Sequence, residues 1–146
     1  MSFRGNNPTR IDEKGRLKMP ADLKRRIDEV YGRKFYITSR TGERAEIYPM
    51  REWEKIEADL ANIPSSAAKT KFMDATSYYG QVVDMDDQGR LLIPQLLREK
   101  AKISGDVGVL GRTTFLVVVN AAQHEAKLAE NPVTDADVES LGIAGL

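Results

Sequence analysis

A ten-residue motif occurs twice in this chain, with a spacing of 74 residues. Both copies, at residues 11–20 and 85–94, read apolar-Asp-x-x-Gly-Arg-Leu-x-apolar-Pro. Repeated units of this kind bury their apolar faces against one another. Two halves of about 70 residues would each be marginal as separate domains. The repeat therefore predicts two similar units that share one core.

The same succession of elements follows from both copies. The turn glycine, Gly15 or Gly89, can adopt a positive φ between two short strands, which predicts a β-hairpin. The motif proline suits the first turn of a helix, and two further apolar strands follow. The sequence therefore predicts a mainly β protein with helices, built from two ββαββ repeats. The predicted strands are 8–11, 16–19, 35–38 and 45–48, then 81–85, 90–93, 107–110 and 115–119, and the repeat helices are 20–31 and 94–101.

Further helices are predicted outside the repeats. A helix at 50–61 is followed by one that Ser65 is expected to cap, and Asn120 is expected to cap a third, through about Glu130. The acidic segment 134–139 is at best a short capped helix. The predicted organisation is a first repeat with a basic N-terminal segment at 1–51, a helical connector at 52–79, a second repeat at 80–123, and a C-terminal helix with an acidic tail at 124–146.

Composition limits the function classes. The chain has no cysteine, so disulfides, cysteine-based zinc sites and a thiol nucleophile are excluded. The N-terminus has no apolar signal segment, and the longest apolar run, residues 115–119, is far below the roughly 20 residues that span a bilayer. We therefore expect a soluble, cytoplasmic protein without a membrane partner.

Two chemistries can be weighed and rejected from the residues. Residues 84–89 resemble the start of an EF-hand loop, but Gln95 stands where calcium needs a bidentate glutamate. The single histidine, His124, is expected to be exposed on a helix, with no nucleophile arranged around it. The sequence therefore predicts no enzyme, no metal site, no cofactor and no small-molecule substrate.

Charge is distributed unevenly although the net charge is zero. Residues 1–44 carry twelve lysines and arginines against six acids, and the remaining residues carry ten against sixteen. Such asymmetry suggests a basic surface for an anionic partner. On charge alone, a solvated face without a partner explains the pattern equally well.

Arg16 and Arg90 each follow the turn glycine directly, and the next residue is a leucine in both copies. Because side chains alternate along a strand, the arginine is expected to project outwards and the leucine into the core. Each guanidinium can pair with the motif aspartate, Asp12 or Asp86, or grip a phosphate or a guanine edge. The two roles can coexist. The aspartates are also expected to accept backbone N–H bonds in the turn.

The chain resembles the MraZ family, bacterial transcription factors with tandem SpoVT/AbrB-type domains. The resemblance covers about residues 3–130 and rests on Phe3-Arg4-Gly5, both motifs, their 74-residue spacing and the segment at 47–53. It implies an intramolecular swapped-hairpin, AbrB-like β-barrel, and several such chains assembled into a ring-shaped homo-oligomer.

The resemblance also implies a function and a site. Such a protein would bind double-stranded DNA at direct repeats upstream of a division and cell-wall gene cluster that includes its own gene, and would be associated with the nucleoid. Gln88 and Leu92 replace the lysines of the first copy, so the first repeat is expected to dominate DNA contact. The DNA-binding residues carried over are Arg4, Lys14, Arg16, Lys18 and Arg90, and the structural motif residues are Asp12, Gly15, Asp86 and Gly89.

A second function class stays open at this point. An antitoxin-like or oligomeric adaptor could use the same basic rim to dock an acidic protein partner. Salt-sensitive, sequence-selective binding to duplex DNA would separate the two classes.

Overall fold

The computed structural model describes all 146 residues and contains eight strands and six helices. The strands are β1 Asn6–Ile11, β2 Arg16–Lys18, β3 Lys34–Thr38, β4 Ala45–Pro49, β5 Gln81–Asp84, β6 Arg90–Leu92, β7 Gly105–Arg112 and β8 Phe115–Asn120. The helices are α1 Ala21–Val30, α2 Met50–Ala61, α3 Ala67–Tyr78, α4 Gln95–Lys100, α5 Ala121–Glu130 and α6 Asp135–Ser140. The predicted ββαββ order is present twice.

All eight strands belong to one antiparallel sheet with the order β5-β3-β4-β8-β7-β1-β2-β6. Its two edge strands, β5 and β6, follow each other in the chain. The Asp86 N–H donates to the Arg90 carbonyl at 3.0 Å across the turn between them. The sheet therefore nearly closes into a barrel, which confirms the predicted fold class.

The first strand of each repeat is added to the other repeat. β1 pairs with β7 over its whole length, from Asn6 opposite Leu110 to Ile11 opposite Gly105, and is paired with β2 only where Ile11 faces Leu17. In the same way β5 pairs with β3 of the first repeat. The motif strands β2 and β6 pair with each other. This exchange is the swapped-hairpin arrangement expected from the resemblance.

The core is common to both repeats. A cluster of 20 buried residues fills the barrel and the space under the helices that follow the motif. Equivalent positions enter it in pairs: Ile11 with Met85, Leu17 with Leu91, Met19 with Ile93, Leu23 with Leu97, and Ile27 with Ala101. Since burial of one large apolar side chain contributes about 1.5–3 kcal/mol, neither repeat keeps this stabilisation without the other.

The connector helices pack on the β3–β4 part of the sheet through aromatic side chains. The ring of Trp53 on α2 lies 4.6 Å from that of Tyr36 and 6.3 Å from that of Phe72 on α3, measured between centroids. The Thr76 carbonyl accepts a bond from the Tyr36 hydroxyl at 2.9 Å and one from the Thr38 hydroxyl at 2.7 Å. These contacts fix α2 and α3 against the barrel.

One predicted helix cap is wrong and two are confirmed. Ser66, not Ser65, caps α3, because Ser66 has the extended backbone that an N-cap requires and its hydroxyl accepts the Lys69 N–H at 3.1 Å. Asn120 caps α5 as predicted. Thr134 forms a capping box that starts the short acidic helix α6.

Candidate nucleic-acid interface

The two motif strands form a two-stranded antiparallel ribbon, which we call the motif ribbon (residues 16–18 and 90–92). In its register Arg16 faces Leu92 and Lys18 faces Arg90, with a buried leucine pair between them. Since side chains alternate across a strand, the four flanking residues share the outward face. Three of these four residues are basic.

Each motif turn is tied to the opposite repeat. The Met19 N–H donates to the Gly89 carbonyl at 2.8 Å, and the Ile93 N–H donates to the Gly15 carbonyl at 3.0 Å. Both turn glycines have a positive φ, +86° for Gly15 and +76° for Gly89. The ribbon is therefore fastened at both ends by backbone hydrogen bonds between the repeats.

Asp12 organises the first turn. Its Oδ1 accepts the Lys14 and Arg16 backbone N–H groups at 3.0 and 2.9 Å, and its Oδ2 accepts the Arg16 Nε–H at 2.8 Å. The backbone bond from Arg16, followed by that residue's guanidinium, holds the pKa of the Asp12 carboxyl below its ordinary value. The carboxylate thus stays charged while it shapes the turn.

Asp86 repeats this geometry in the second turn. It accepts the Gln88 and Arg90 backbone N–H groups at 2.9 Å each, and the Arg90 Nε–H at 2.8 Å. Its pKa is lowered for the same reason, with the Arg90 backbone bond the largest cause. The turn geometry expected from the motif is present in both repeats.

The ion pairs leave most of each guanidinium free. Arg16 and Arg90 use only Nε toward their aspartates, and their side chains are 31% and 28% exposed. The terminal nitrogens of both side chains have no protein partner. The aspartate therefore orients the guanidinium, and the terminal N–H groups stay available for a phosphate or a base edge.

The remaining predicted residues fall in two places. Lys14 is exposed at the first turn, and Lys18 donates from Nζ to the Gln88 carbonyl at 2.7 Å, across the ribbon. Arg4 is exposed beside α1, where it lines a cavity of about 380 Å³ with Asp22 and Arg26. The ribbon and its turns thus bring together Lys14, Arg16, Lys18 and Arg90, whereas Arg4 lines a separate surface cavity.

Sequence reasoning missed two basic residues that lie against the turn glycines. A Cβ on Gly15 would lie 2.3 Å from Cζ of Arg98, and one on Gly89 would lie 2.7 Å from Cδ of Lys24. Arg98 donates from Nε to a main-chain carbonyl at 2.9 Å and has no carboxylate partner. Lys24 and Arg98 are 74 residues apart, the same spacing as the two motifs, and this spacing could have indicated that they occupy equivalent positions.

The two turns differ in charge. Lys24 beside the second turn pairs with Asp28 at 2.9 Å, and the side chains of Arg33 and Asp87 form an ion pair next to it. The Lys24 bond is the largest cause of a lowered pKa at Asp28. Arg98 beside the first turn has no such neutralising partner. Arg98 thus adds a cation without a carboxylate partner at the first turn, and Lys18 adds one at the second turn through its bond to Gln88.

Other features carry little chemistry. His124 is half-buried between α5 and the sheet, so the expectation of an exposed histidine is wrong; α5 packs on β7 and β8. No group of three or more histidine and carboxylate side chains is placed to hold a metal ion. None of the six helices combines the length and apolar character that a bilayer crossing requires.

Comparison with known proteins gives consistent matches over nearly the whole chain. Residues 2–76 and 80–141 match the family described as "MraZ protein, putative antitoxin-like". The chain is 56% identical over 145 residues to a protein of Acidobacterium capsulatum named transcriptional regulator MraZ, with 99% of each chain covered. Proteins of the same name in Koribacter versatilis and Neisseria meningitidis are 49% and 28% identical, over 99% and 92% of this chain and 99% and 91% of their own lengths.

The strand exchange, the shared core and the paired motif strands define an AbrB-like swapped-hairpin barrel built within a single chain. The extent of the matches then identifies the family: the chain belongs to the MraZ family. Relatives in this family are named transcriptional regulators, and transcriptional regulation is not an enzyme class.

Proposed function

We propose that this protein is a sequence-specific DNA-binding transcriptional regulator and that the motif ribbon is its DNA-contacting face. The observation that carries the proposal is the outward face of the ribbon, where Arg16, Lys18 and Arg90 lie together with free guanidinium ends. The major groove of B-DNA admits a two-stranded β-ribbon, and an arginine fork suits the O6 and N7 atoms of guanine.

The first repeat contributes more to this face. Lys14 and Lys18 correspond to the uncharged Gln88 and Leu92 in the second repeat. Arg98, a residue of the second repeat, adds a guanidinium without a carboxylate partner beside the first turn. Each phosphate that a lysine or arginine neutralises releases counterions and increases affinity. We therefore expect the first repeat to make more phosphate contacts than the second.

Assembly into a homo-oligomeric ring belongs to the same proposal. One ribbon offers only a few basic groups, and the chain as a whole is neutral. Several ribbons acting on spaced direct repeats would gain effective concentration, so the assembled protein could bind far more tightly than one chain. The expected target is the region upstream of a division and cell-wall gene cluster that includes its own gene, in the nucleoid.

Arg16→Ala and Arg90→Ala form a matched pair that tests the proposal, because the two arginines have the same ion-pair geometry. Fluorescence anisotropy would compare the variants with the wild type on the upstream duplex and on a scrambled duplex, over a salt series. We expect Arg16→Ala to weaken specific binding about tenfold or more, as loss of a bidentate base contact would, and Arg90→Ala to weaken it less. Equal losses would contradict the dominance of the first repeat.

A second candidate function has one observation in its favour, the antitoxin-like description of the family. An adaptor of this kind would dock an acidic protein on the same basic ribbon. It predicts no preference between the upstream and the scrambled duplex, together with salt-sensitive binding of a small acidic protein encoded beside this gene. That result would replace the DNA-binding proposal.

A further inference from the structure

We propose that Leu92 reads thymine, through contact between its side chain and the 5-methyl group of the base. The inference rests on the proposed DNA-binding function of the motif ribbon and adds a base preference to it. Leu92 is 52% exposed on the outward face of the ribbon. In the first repeat the equivalent position is occupied by Lys18.

The surroundings of Leu92 distinguish it from an incidental surface leucine. It lies directly opposite Arg16 and two residues from Arg90 on the same face. Both arginines are held by aspartates, and Lys18 is held by a main-chain carbonyl. Leu92 is the one apolar side chain of this face, and more than half of the residue is exposed, at 52%.

The chemistry of the DNA grooves then selects the ligand. Among the base edges of the major groove, only thymine presents an apolar group, its 5-methyl. Burial of a methyl group against an exposed leucine removes apolar surface from water. Each such contact is expected to raise the affinity of the protein for DNA about fourfold. A basic ribbon that enters the groove would bring Leu92 to the base edges together with Arg16, because the two residues are cross-strand neighbours.

Deoxyuridine provides the direct test, since it lacks only the 5-methyl group. Anisotropy titrations would compare the upstream duplex with the same duplex in which uracil replaces every thymine. The proteins would be the wild type, Leu92→Ala and, as a matched control, Leu96→Ala. Leu96 is a similarly exposed leucine of the same repeat, at 41%, and lies on α4 outside the ribbon.

We expect the wild type and Leu96→Ala to bind the thymine duplex about fourfold or more tightly than the uracil duplex, and Leu92→Ala to bind both within about twofold. An undiminished preference in Leu92→Ala would overturn the inference, because the methyl groups would then be read elsewhere or would act through duplex shape. A wild type that binds sequence-selectively without distinguishing thymine from uracil would also overturn it, while the proposed function would stand.

Two further outcomes would count against the inference. If the wild type binds neither the thymine nor the uracil duplex more tightly than a scrambled duplex, the proposed function and the inference are overturned together. If Leu92→Ala changes the molar mass measured by light scattering and keeps the thymine preference, then Leu92 covers a second copy of this chain instead of a base.

Discussion

At the scale of single residues, Asp12 combines two tasks in one carboxylate. It accepts two turn N–H groups through Oδ1 and orients the Arg16 guanidinium through Oδ2. Its pKa is lowered in the folded state. A carboxyl whose folded pKa lies below its unfolded pKa stabilises the fold above the unfolded pKa, and this contribution is lost as the pH falls through the folded pKa.

Asp12→Asn is therefore expected to lower the urea midpoint at neutral pH, because the amide keeps one acceptor but loses the charge opposite Arg16. The difference from the wild type should shrink as the pH falls below about 4, the ordinary pKa of an aspartic acid, and then through the lowered pKa of Asp12 in the folded state. Urea unfolding of both proteins over a pH series measures this difference in midpoint. Glu13→Gln, which removes an adjacent carboxylate without an ion pair, is the control. A difference that does not vary with pH would argue against the charge as the cause.

Gly111 determines where the N-terminal segment can lie. A Cβ there would stand 2.2 Å from the Arg4 nitrogen and 2.3 Å from the Arg4 Cα, so the backbone would have to move. We expect Gly111→Ala to destabilise the protein by about 2 kcal/mol or more, as overpacking does. Gly108→Ala in the same strand should cost less than about 1 kcal/mol, since the nearest atom would be Asn6 Oδ1 at 3.3 Å. Denaturant unfolding measures both, and equal losses would contradict this account.

At the scale of elements, the sequences of the two motif turns differ in charge at one equivalent position, Lys14 in the first and Gln88 in the second. Lys14→Gln is expected to weaken DNA binding several-fold and to reduce the log–log salt slope by about 1, the value for one lost phosphate contact. Gln88→Lys should strengthen binding by a smaller factor, because the Arg33–Asp87 and Lys24–Asp28 pairs surround the second turn.

The variant with both exchanges has the net charge of the wild type. Anisotropy over a salt series would therefore test the position of the charge and not its amount. Full restoration of wild-type affinity by the double exchange would mean that the two turns contact DNA equally. An unchanged slope in Lys14→Gln would mean that the first turn does not touch phosphate.

The helices and strands could be predicted well from the sequence because the residues that start and end them are close to them in the chain. The α2 helix is expected at 50–61 and spans Met50–Ala61, since an apolar stripe runs along it and Pro64 follows it. The β7 strand was expected at 107–110 and spans Gly105–Arg112. Residues 105 and 106 extend it by pairing with β1, a partner so distant in sequence that no local pattern indicates it. Residues 111 and 112 extend it by pairing with β8.

The site was less predictable for a related reason. The turn bonds of Asp12 follow from the motif alone, but the contact between Arg98 and Gly15 joins different repeats. Glu46 is another example. It is fully buried on a strand, where an acid is unexpected. It accepts bonds from the Arg40 N–H at 2.7 Å and the Tyr48 hydroxyl at 3.2 Å, and its ion pair with the Arg40 side chain is visible only once the fold is known.

At the scale of the whole molecule, the exchanged strands make the repeats interdependent. Trp53, the single tryptophan, packs beside Tyr36 on the first-repeat side, whereas far-ultraviolet circular dichroism reports every element. We expect the two signals to give one coincident urea transition. Val109→Ala, in the buried part of β7, should shift both midpoints together by an amount equivalent to about 2 kcal/mol.

Leu128→Ala removes an exposed leucine of α5 and should leave both midpoints in place. Two separate transitions, or a shift confined to the circular dichroism signal in Val109→Ala, would mean that the repeats unfold independently. In that case the strand exchange would not couple them.

The pairing of β1 with β7 also has a consequence for synthesis on the ribosome. Translation at about 5–20 residues per second takes several seconds to make the roughly one hundred residues between the two strands. For that interval the nascent β1 lacks its long pairing with β7 and can pair with β2 only at Ile11. The composition of β1 disfavours pairing with other chains during this time, because Pro8 lacks an N–H and Arg10 carries a charge. We therefore expect the polar first strand to disfavour aggregation of the emerging chain until β7 has been made.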